Sequence, residues 1–279
     1  MSEHSDRSSS GESIGLVAGN GQFPLLFSRA AQARGIRVYA VAHTGETDPQ
    51  LACHVERIHW IHLGQLGEII SFFSSNKIHE AVFVGAVTKT RMFTSARPDE
   101  RALSLIETLA NTHDDGLLRA FADILEKEGI TVRPSTLLLP ELLAPAGCWT
   151  RRGPKASESE DMALGWGIAR KIGELDIGQC VVVKRGSVLA VEAIDGTDAT
   201  IRRGGRLGGP GSVVAKACKP SQDLRFDLPA VGERTVRTMS EAGATGLAIH
   251  AGKAVVFDRS DMVEFANRHG ITIVGMAEE

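Results

Sequence analysis

The sequence predicts an α/β protein of two domains, a parallel-sheet domain followed by a second α/β domain of different pattern. Three observations carry that reading. Apolar runs of strand length alternate with helix-period segments through the first half. From Ala144 to Met162, "APAGCWTRRGPKASESEDM" shifts to Pro, Gly, Ser and charge, as at an interdomain crossover. Strand and helix patterns then resume. A chain of 279 residues with 43% hydrophobic content and 30 glycines has room for two such cores.

In chain order, residues 1–13, "MSEHSDRSSSGES", are polar, lack the apolar core of a signal peptide and read as a disordered tail. Ile14–Ala18 is a buried strand, Gly19–Gly21 a glycine loop, Pro24 to Arg34 a helix with proline in its first turn, and Arg37–Ala42 a second strand. Leu66, Ile69, Ile70 and Phe73 recur at helix spacing before a strand ending at Gly85. "HDDGLLRAFADILEKEGITVRP" adds a further helix and strand. Alternation of this kind implies a Rossmann-like parallel sheet over residues 14–146. "TLLLPELLAPAG" is broken by Pro140 and Pro145, which excludes a long core helix and leaves a buried strand or a groove for lipid chains.

Residues 147–160 read as the linker and 161–279 as a separate C-terminal α/β domain. There, Asp161–Glu174 is a helix, "CVVVKRGSVLAVEAI" a hairpin turning at Arg185-Gly186, and "SVVAKAC" a strand. Residues 235–276 give helix, strand, turn, strand, helix and strand, and no internal repeat is present.

Composition removes several function classes. A net charge of −3, a pI near 6.3 and 5% aromatics supply no basic field for nucleic acid. Cys53, Cys148, Cys180 and Cys218 form no CxxC pair, so neither structural zinc nor a disulfide framework is indicated. The longest apolar run, residues 81–87, falls short of the ~20 needed to span a bilayer. A cytoplasmic protein is expected, with any membrane contact peripheral.

"AGNGQFP" follows a strand and opens a helix, where backbone N–H groups can receive phosphate. It departs from the dinucleotide fingerprint: Pro24 stands in place of the third glycine and no acid ends the second strand. "GAVTKT" ends the strand expected beside the first, so Gly85, Ala86, Val87 and Thr88 should share a crevice with Gly19, Asn20 and Gly21. Asp114 and Asp115 read as helix-start acids. Asp198, just beyond an Asp195-Gly196 turn and followed by Arg202 and Arg203, marks either a solvated turn or a loop able to hold phosphate and magnesium. In "KPSQDLRFDLPAVG", alternation predicts a strand with Asp223, Arg225 and Asp227 on one face. The two acids would stand about 13 Å apart, too far to share a proton. A surface salt-bridge ladder explains that face as well as a site does.

Taken together, "AGNGQFP", "GAVTK", "HDDGLL", "LDIGQCVVVKRGSVLAVEAIDGTDATIRRG" and "KPSQDLRFDLPAVG" resemble the metal-dependent UDP-2,3-diacylglucosamine pyrophosphatases of lipid A biosynthesis, the two-domain type unrelated to calcineurin-like phosphoesterases. The resemblance runs from residue 14 to about 276. It implies hydrolysis of UDP-2,3-diacylglucosamine to UMP and 2,3-diacylglucosamine 1-phosphate (lipid X) between the two domains. The aspartate of the family's R-x-D-L-P segment matches Asp227, the expected catalytic acid, with Arg225 beside it as a forked cation. Asp198 and Asp227 would hold Mg2+, or another divalent cation such as Mn2+, and Ile177, Gly178, Gln179, Thr197 and Asp198 would contact substrate. A carboxyl with a pKa near ~3.9 is a weak base for bulk water, so metal assistance is chemically sensible. His113 and "TKT" (88–90) depart from residues common in related sequences. The resemblance also implies that any peripheral membrane contact is with the cytoplasmic face of the inner membrane, and a homodimer is a further expectation. The competing classes are a nucleotide-sugar oxidoreductase and a non-catalytic carrier of an acylated nucleotide sugar.

Overall fold

The computed structural model describes residues 12–87, 96–108, 114–220, 222–226 and 228–278. The chain divides into two compact units, the first running to Leu139 and the second from Pro140.

The first unit opens with β1 (Ser13–Ala18), α1 (Phe23–Ala33) and β2 (Arg37–His43), followed by a 3-10 turn over Pro49–His54. Next come β3 (Arg57–Ile61), α2 (Leu66–Ser75), β4 (Glu80–Val84), α3 (Glu100–Thr108), α4 (Asp114–Lys127) and β5 (Thr131–Arg133). The five strands form one sheet in the order β3-β2-β1-β4-β5, every pair parallel. Chain order therefore reverses beside β1, the place where open parallel sheets bind ligands beyond the carboxyl ends of their strands. β1, β2 and β4 are buried along nearly their whole length, as a sheet covered on both faces requires. Strand β1 begins at Ser13, one residue inside the expected tail; residues 1–11 lie outside the described residues.

β3 was not expected. Its residues "RIHWI" interleave polar and apolar side chains as an edge strand does. The leucine-rich stretch is not a strand either: it turns over residues 135–138 and forms a 3-10 turn at Pro140–Leu142, while Leu138 and Leu139 are buried.

The second unit carries β6 (Gly147–Cys148), α5 (Ala156–Glu174), β7 (Cys180–Lys184), β8 (Ser187–Val191), α6 (Thr197–Gly208) and β9 (Ser212–Lys216). β10 (Ala230–Val231), α7 (Glu233–Glu241), β11 (Ala244–His250), β12 (Val255–Val256), α8 (Arg259–Arg268) and β13 (Thr272–Met276) complete it. Six strands form a mixed sheet in the order β6-β13-β11-β9-β7-β8. β9, β11 and β13 run parallel, whereas β7 is antiparallel to both β8 and β9. A largely aliphatic core of Val182, Val214, Leu247, Ile249 and Ile273 joins Met239, Met262 and Phe265 from the helices.

The segment expected as a linker is part of this unit. β6 pairs with β13, the Arg151 amide donates to Asn267 Oδ1, and Arg152 forms a two-pronged ion pair with the buried Glu158 at 2.6 and 3.0 Å. The helix begins at Ala156, five residues before the expected Asp161, because the Glu158 carboxylate reaches back to the Lys155 amide at 2.8 Å. Asp161 serves the hairpin instead. Its two carboxylate oxygens accept the amides of Arg185 and Gly186, both at 2.8 Å, and fix the turn.

Candidate functional site

In the first unit the two loops that the sequence places at one crevice are bonded to each other. The Asn20 amide donates to the Ala86 carbonyl at 2.7 Å, the Ala86 amide returns to Asn20 O at 3.1 Å, and the Gly19 amide reaches Val84 O at 2.8 Å. Side chains could not be accommodated here. A Cβ on Gly19 would come within 2.5 Å of Ala86 O, and one on Gly85, whose φ is +98°, within 2.7 Å of Asn20 O. Gly21, with φ +92°, turns the chain into α1. Val87 follows as an exposed residue, and Thr88 lies outside the described residues.

Beside this junction is a cleft of about 960 Å3, lined by Asn20, Gly21, Gln22, Glu46, Asp48 and Trp60 among others. The Asn20 amide side chain donates to Glu46 Oε2 at 3.3 Å. At the end of β2, before the lining residues Thr44–Pro49, the buried His43 places Nδ1 3.0 Å from Ala18 O, and burial holds its pKa below the usual imidazole value. Glu46, Trp60 and His43 were not singled out from the sequence. Glu46 follows a glycine in a turn, and neither its burial nor its contact with Asn20 leaves a mark in the residue pattern.

In the second unit, Ile177–Gln179 and Thr197–Asp198 are brought together by Glu192, a residue that no motif in the sequence marks. Glu192, 7% exposed, accepts the Thr197 hydroxyl on Oε1 at 2.8 Å, while its Oε2 lies 3.4 Å from the Gln179 amide. Gly178 is pressed against the same residue: an added Cβ would stand 2.2 Å from Glu192 O. Ile177 is exposed, its amide bonded to Ile172 O at 2.9 Å.

Asp198 sits in the first turn of α6, where the helix dipole favours a carboxylate. It pairs with Arg234 at 2.7 Å. Arg234 is 87% exposed, so water screens that pair and it holds the carboxylate weakly. Cys180 on β7, whose carbonyl accepts the Glu192 amide at 2.8 Å, carries a thiol whose pKa burial pushes far up. It is a buried packing residue rather than a nucleophile.

The segment around Arg225 departs from expectation. Leu224–Phe226 form a turn instead of a strand, and Leu224 is 38% exposed, so no apolar face is buried. The cause is local. Asp223 Oδ1 accepts the Arg225 amide at 3.0 Å, an Asx-type turn that competes with extended backbone. The same carboxylate holds the guanidinium through Nε and NH2, at 3.1 and 2.9 Å, and the guanidinium lies over the Phe226 ring at 4.9 Å. Asp223 and Arg225 are thus paired head to head rather than spaced along a ladder. Asp227 lies outside the described residues.

Among the described residues no group of three or more His, Cys, Asp or Glu side chains could hold a metal, and no helix is long and apolar enough to cross a membrane.

Comparison with known proteins matches residues 13–142 to the family model described as the LpxI N-terminal domain and residues 145–274 to the LpxI C-terminal domain. The UDP-2,3-diacylglucosamine pyrophosphatase LpxI of Caulobacter vibrioides is 34% identical over 275 residues, covering 94% of this chain and 97% of that protein. Among solved structures, a biotin carboxylase from Campylobacter jejuni is 13% identical with a TM-score of 0.29, over 71% of this chain and 42% of that one. The biotin carboxylase domain of the Hydrogenobacter thermophilus 2-oxoglutarate carboxylase is 15% identical with a TM-score of 0.26, over 62% of this chain and 35% of that one. The chain spans less than half of either structure, and overlaps this loose say nothing of function.

Proposed function

The chain belongs to the LpxI family, and from that premise we propose that it hydrolyses UDP-2,3-diacylglucosamine to UMP and 2,3-diacylglucosamine 1-phosphate. The observation that carries the reading is the match of both family domains, in order, together with 34% identity to a pyrophosphatase over 94% of the chain. Water adds across one P–O bond of the diphosphate bridge, so two phosphomonoesters form and a proton is released.

Such a cleavage gathers negative charge on phosphate oxygens, and a site that performs it must offer fixed positive partners. Arg225, oriented by Asp223, is the forked cation of the proposal. Asp227 is the indispensable acid, and Asp223 acts through Arg225. The amides and side chains of Ile177–Gln179 and of Thr197–Asp198, gathered on Glu192, line the substrate in the second unit. In the first unit, Gly19–Gly21 and Gly85–Thr88 would contact the substrate.

The donor chemistry suits a hard divalent cation. Asp198 offers a carboxylate whose present partner is an exposed arginine, and Asp227 would supply a second. Mg2+ takes one or two protein carboxylates and keeps several waters, so it asks for no dense cage. Bound there, Mg2+ or Mn2+ would neutralise charge building on the diphosphate. The acyl chains of the substrate favour peripheral contact with a membrane surface, since apolar area left in water costs roughly 25 cal/mol per Å2.

Phosphorus NMR of the purified chain with UDP-2,3-diacylglucosamine and Mg2+ tests the reading. The two coupled diphosphate resonances should be replaced by two phosphomonoester resonances of equal intensity, with no nicotinamide added. Binding that leaves the diphosphate intact would instead identify a carrier.

A further inference from the structure

We infer that Lys216 is a further substrate-binding residue of the second unit, its ammonium receiving a phosphate oxygen of the diphosphate. The inference deepens the hydrolase reading and rests on it.

Lys216 is the last residue of β9, the strand at which the sheet changes from parallel to antiparallel. It is 7% exposed. A buried ammonium is costly unless it is paired and its protons are satisfied, so interior lysines normally meet a carboxylate. This one does not. Among the described residues its Nζ makes one hydrogen bond, to the Ala230 carbonyl at 3.0 Å, and forms no ion pair. Two of its three N–H donors remain for another acceptor.

Its surroundings say where that acceptor would be. Lys216 pairs with Cys180 across the β7–β9 ladder, the Cys180 carbonyl accepts the Glu192 amide at 2.8 Å, and Glu192 in turn holds Thr197, the neighbour of Asp198. Lys216 therefore belongs to the same neighbourhood as the carboxylate that gathers the two substrate loops and the one proposed for the cation. Its bond to Ala230 also ties it to the chain three residues beyond Asp227. Arg225 is already held by Asp223. Among the described residues, Lys216 is a cation at the end of a central strand with no carboxylate in ion-pair contact, as suits an anion site at a strand terminus.

A latch on Ala230 is the competing explanation, and Lys216→Gln separates the two, because the amide can still donate to that carbonyl while the charge is gone. The full chain and the variant are compared by calorimetric titration with inorganic pyrophosphate and Mg2+, and by UMP release from UDP-2,3-diacylglucosamine. The expected result is about a tenfold loss of pyrophosphate affinity and roughly a hundredfold fall in kcat, the scale of one charge-assisted bond strengthened in the transition state. Unchanged pyrophosphate affinity in Lys216→Gln overturns the inference, whatever happens to kcat. So does a wild-type chain that binds no pyrophosphate. If Lys216→Gln fails to unfold cooperatively, Lys216→Met, an apolar replacement of similar length, takes its place with the same expected loss of affinity. A wild-type chain that binds pyrophosphate but releases no UMP would refute the hydrolase reading, and the affinity comparison would still decide Lys216.

Discussion

The hydroxyl of Thr197 donates to the buried carboxylate of Glu192 at 2.8 Å, joining the start of α6 to the loop that ends at Gln179. Replacing Thr197 by valine keeps the shape and removes the donor, leaving a buried carboxylate short of a partner at a cost of about 1–3 kcal/mol. Thr197→Val should lower kcat/KM by roughly tenfold, while Thr197→Ser, which retains the hydroxyl, should stay within about twofold of wild type. Steady-state kinetics on the two variants decide whether this bond positions the loops.

The junction of Gly19–Gly21 with Gly85–Ala86 has no room for a side chain. Gly85→Ala would force a left-handed backbone onto an L-residue and drive its Cβ to 2.7 Å from Asn20 O. A loss of about 2–4 kcal/mol is expected in urea unfolding. Gly35→Ala, also at positive φ but with nothing within 4 Å of the added carbon, should cost less. Equal midpoints for the two variants would show that the close approach of the loops is not held in solution.

Glu158 offers a pH test within the second unit. Burial raises its pKa, but hydrogen bonds from Arg152, Lys155 and Thr245 and the Arg152 charge outweigh it and hold the carboxyl at about 2, against an ordinary 4.5. A depressed carboxyl stabilises the fold fully above its unfolded pKa, and the contribution is lost as pH falls from 4.5 through about 2. That contribution is on the order of 3 kcal/mol at neutral pH. Glu158→Gln should therefore unfold at clearly lower urea than wild type at pH 7, and the gap should close as the pH approaches 2.

Turnover should require a divalent cation and tolerate Mg2+ or Mn2+, because the proposed ligands are hard carboxylates. Exhaustive chelation followed by metal add-back is the measurement. Full activity after chelation, or stoichiometric zinc in the purified protein, would contradict the proposed role of Asp198.

Much of the architecture was legible because each signal was local and unopposed. The Arg185-Gly186 turn needs positive φ at both residues, which the structure shows at 49° and 74°. The buried runs of β1, β2 and β4 could hardly be anything but strands of a covered sheet. Helix α6 was hidden by its own glycines, since "IRRGGRLGG" reads as loop. Gly204 and Gly205 are there because a Cβ would meet Val182 at 2.6 Å and Ala242 O at 2.4 Å, so the helix lies tight on its neighbours. The turn at Asp223–Phe226 escapes the pattern because alternation is present and only the Asp223 side chain, bonding the Arg225 amide, breaks it.

The site was half legible for a similar reason. Motifs marked the loops, but Glu192 and Lys216 stand out only by burial and long-range pairing, which no spacing in the sequence records. Glu192 directly follows an ordinary strand, and Lys216 comes after four residues of a buried strand as though it were the strand's polar end.

The most direct test of the account measures UMP release by wild type and Asp227→Ala under identical substrate and Mg2+, with binding of the intact substrate followed in parallel. Loss of a carboxylate needed in the transition state should lower turnover by at least about a thousandfold while affinity stays within roughly threefold. Near-normal UMP release from a folded Asp227→Ala chain would contradict the proposed chemistry of this site.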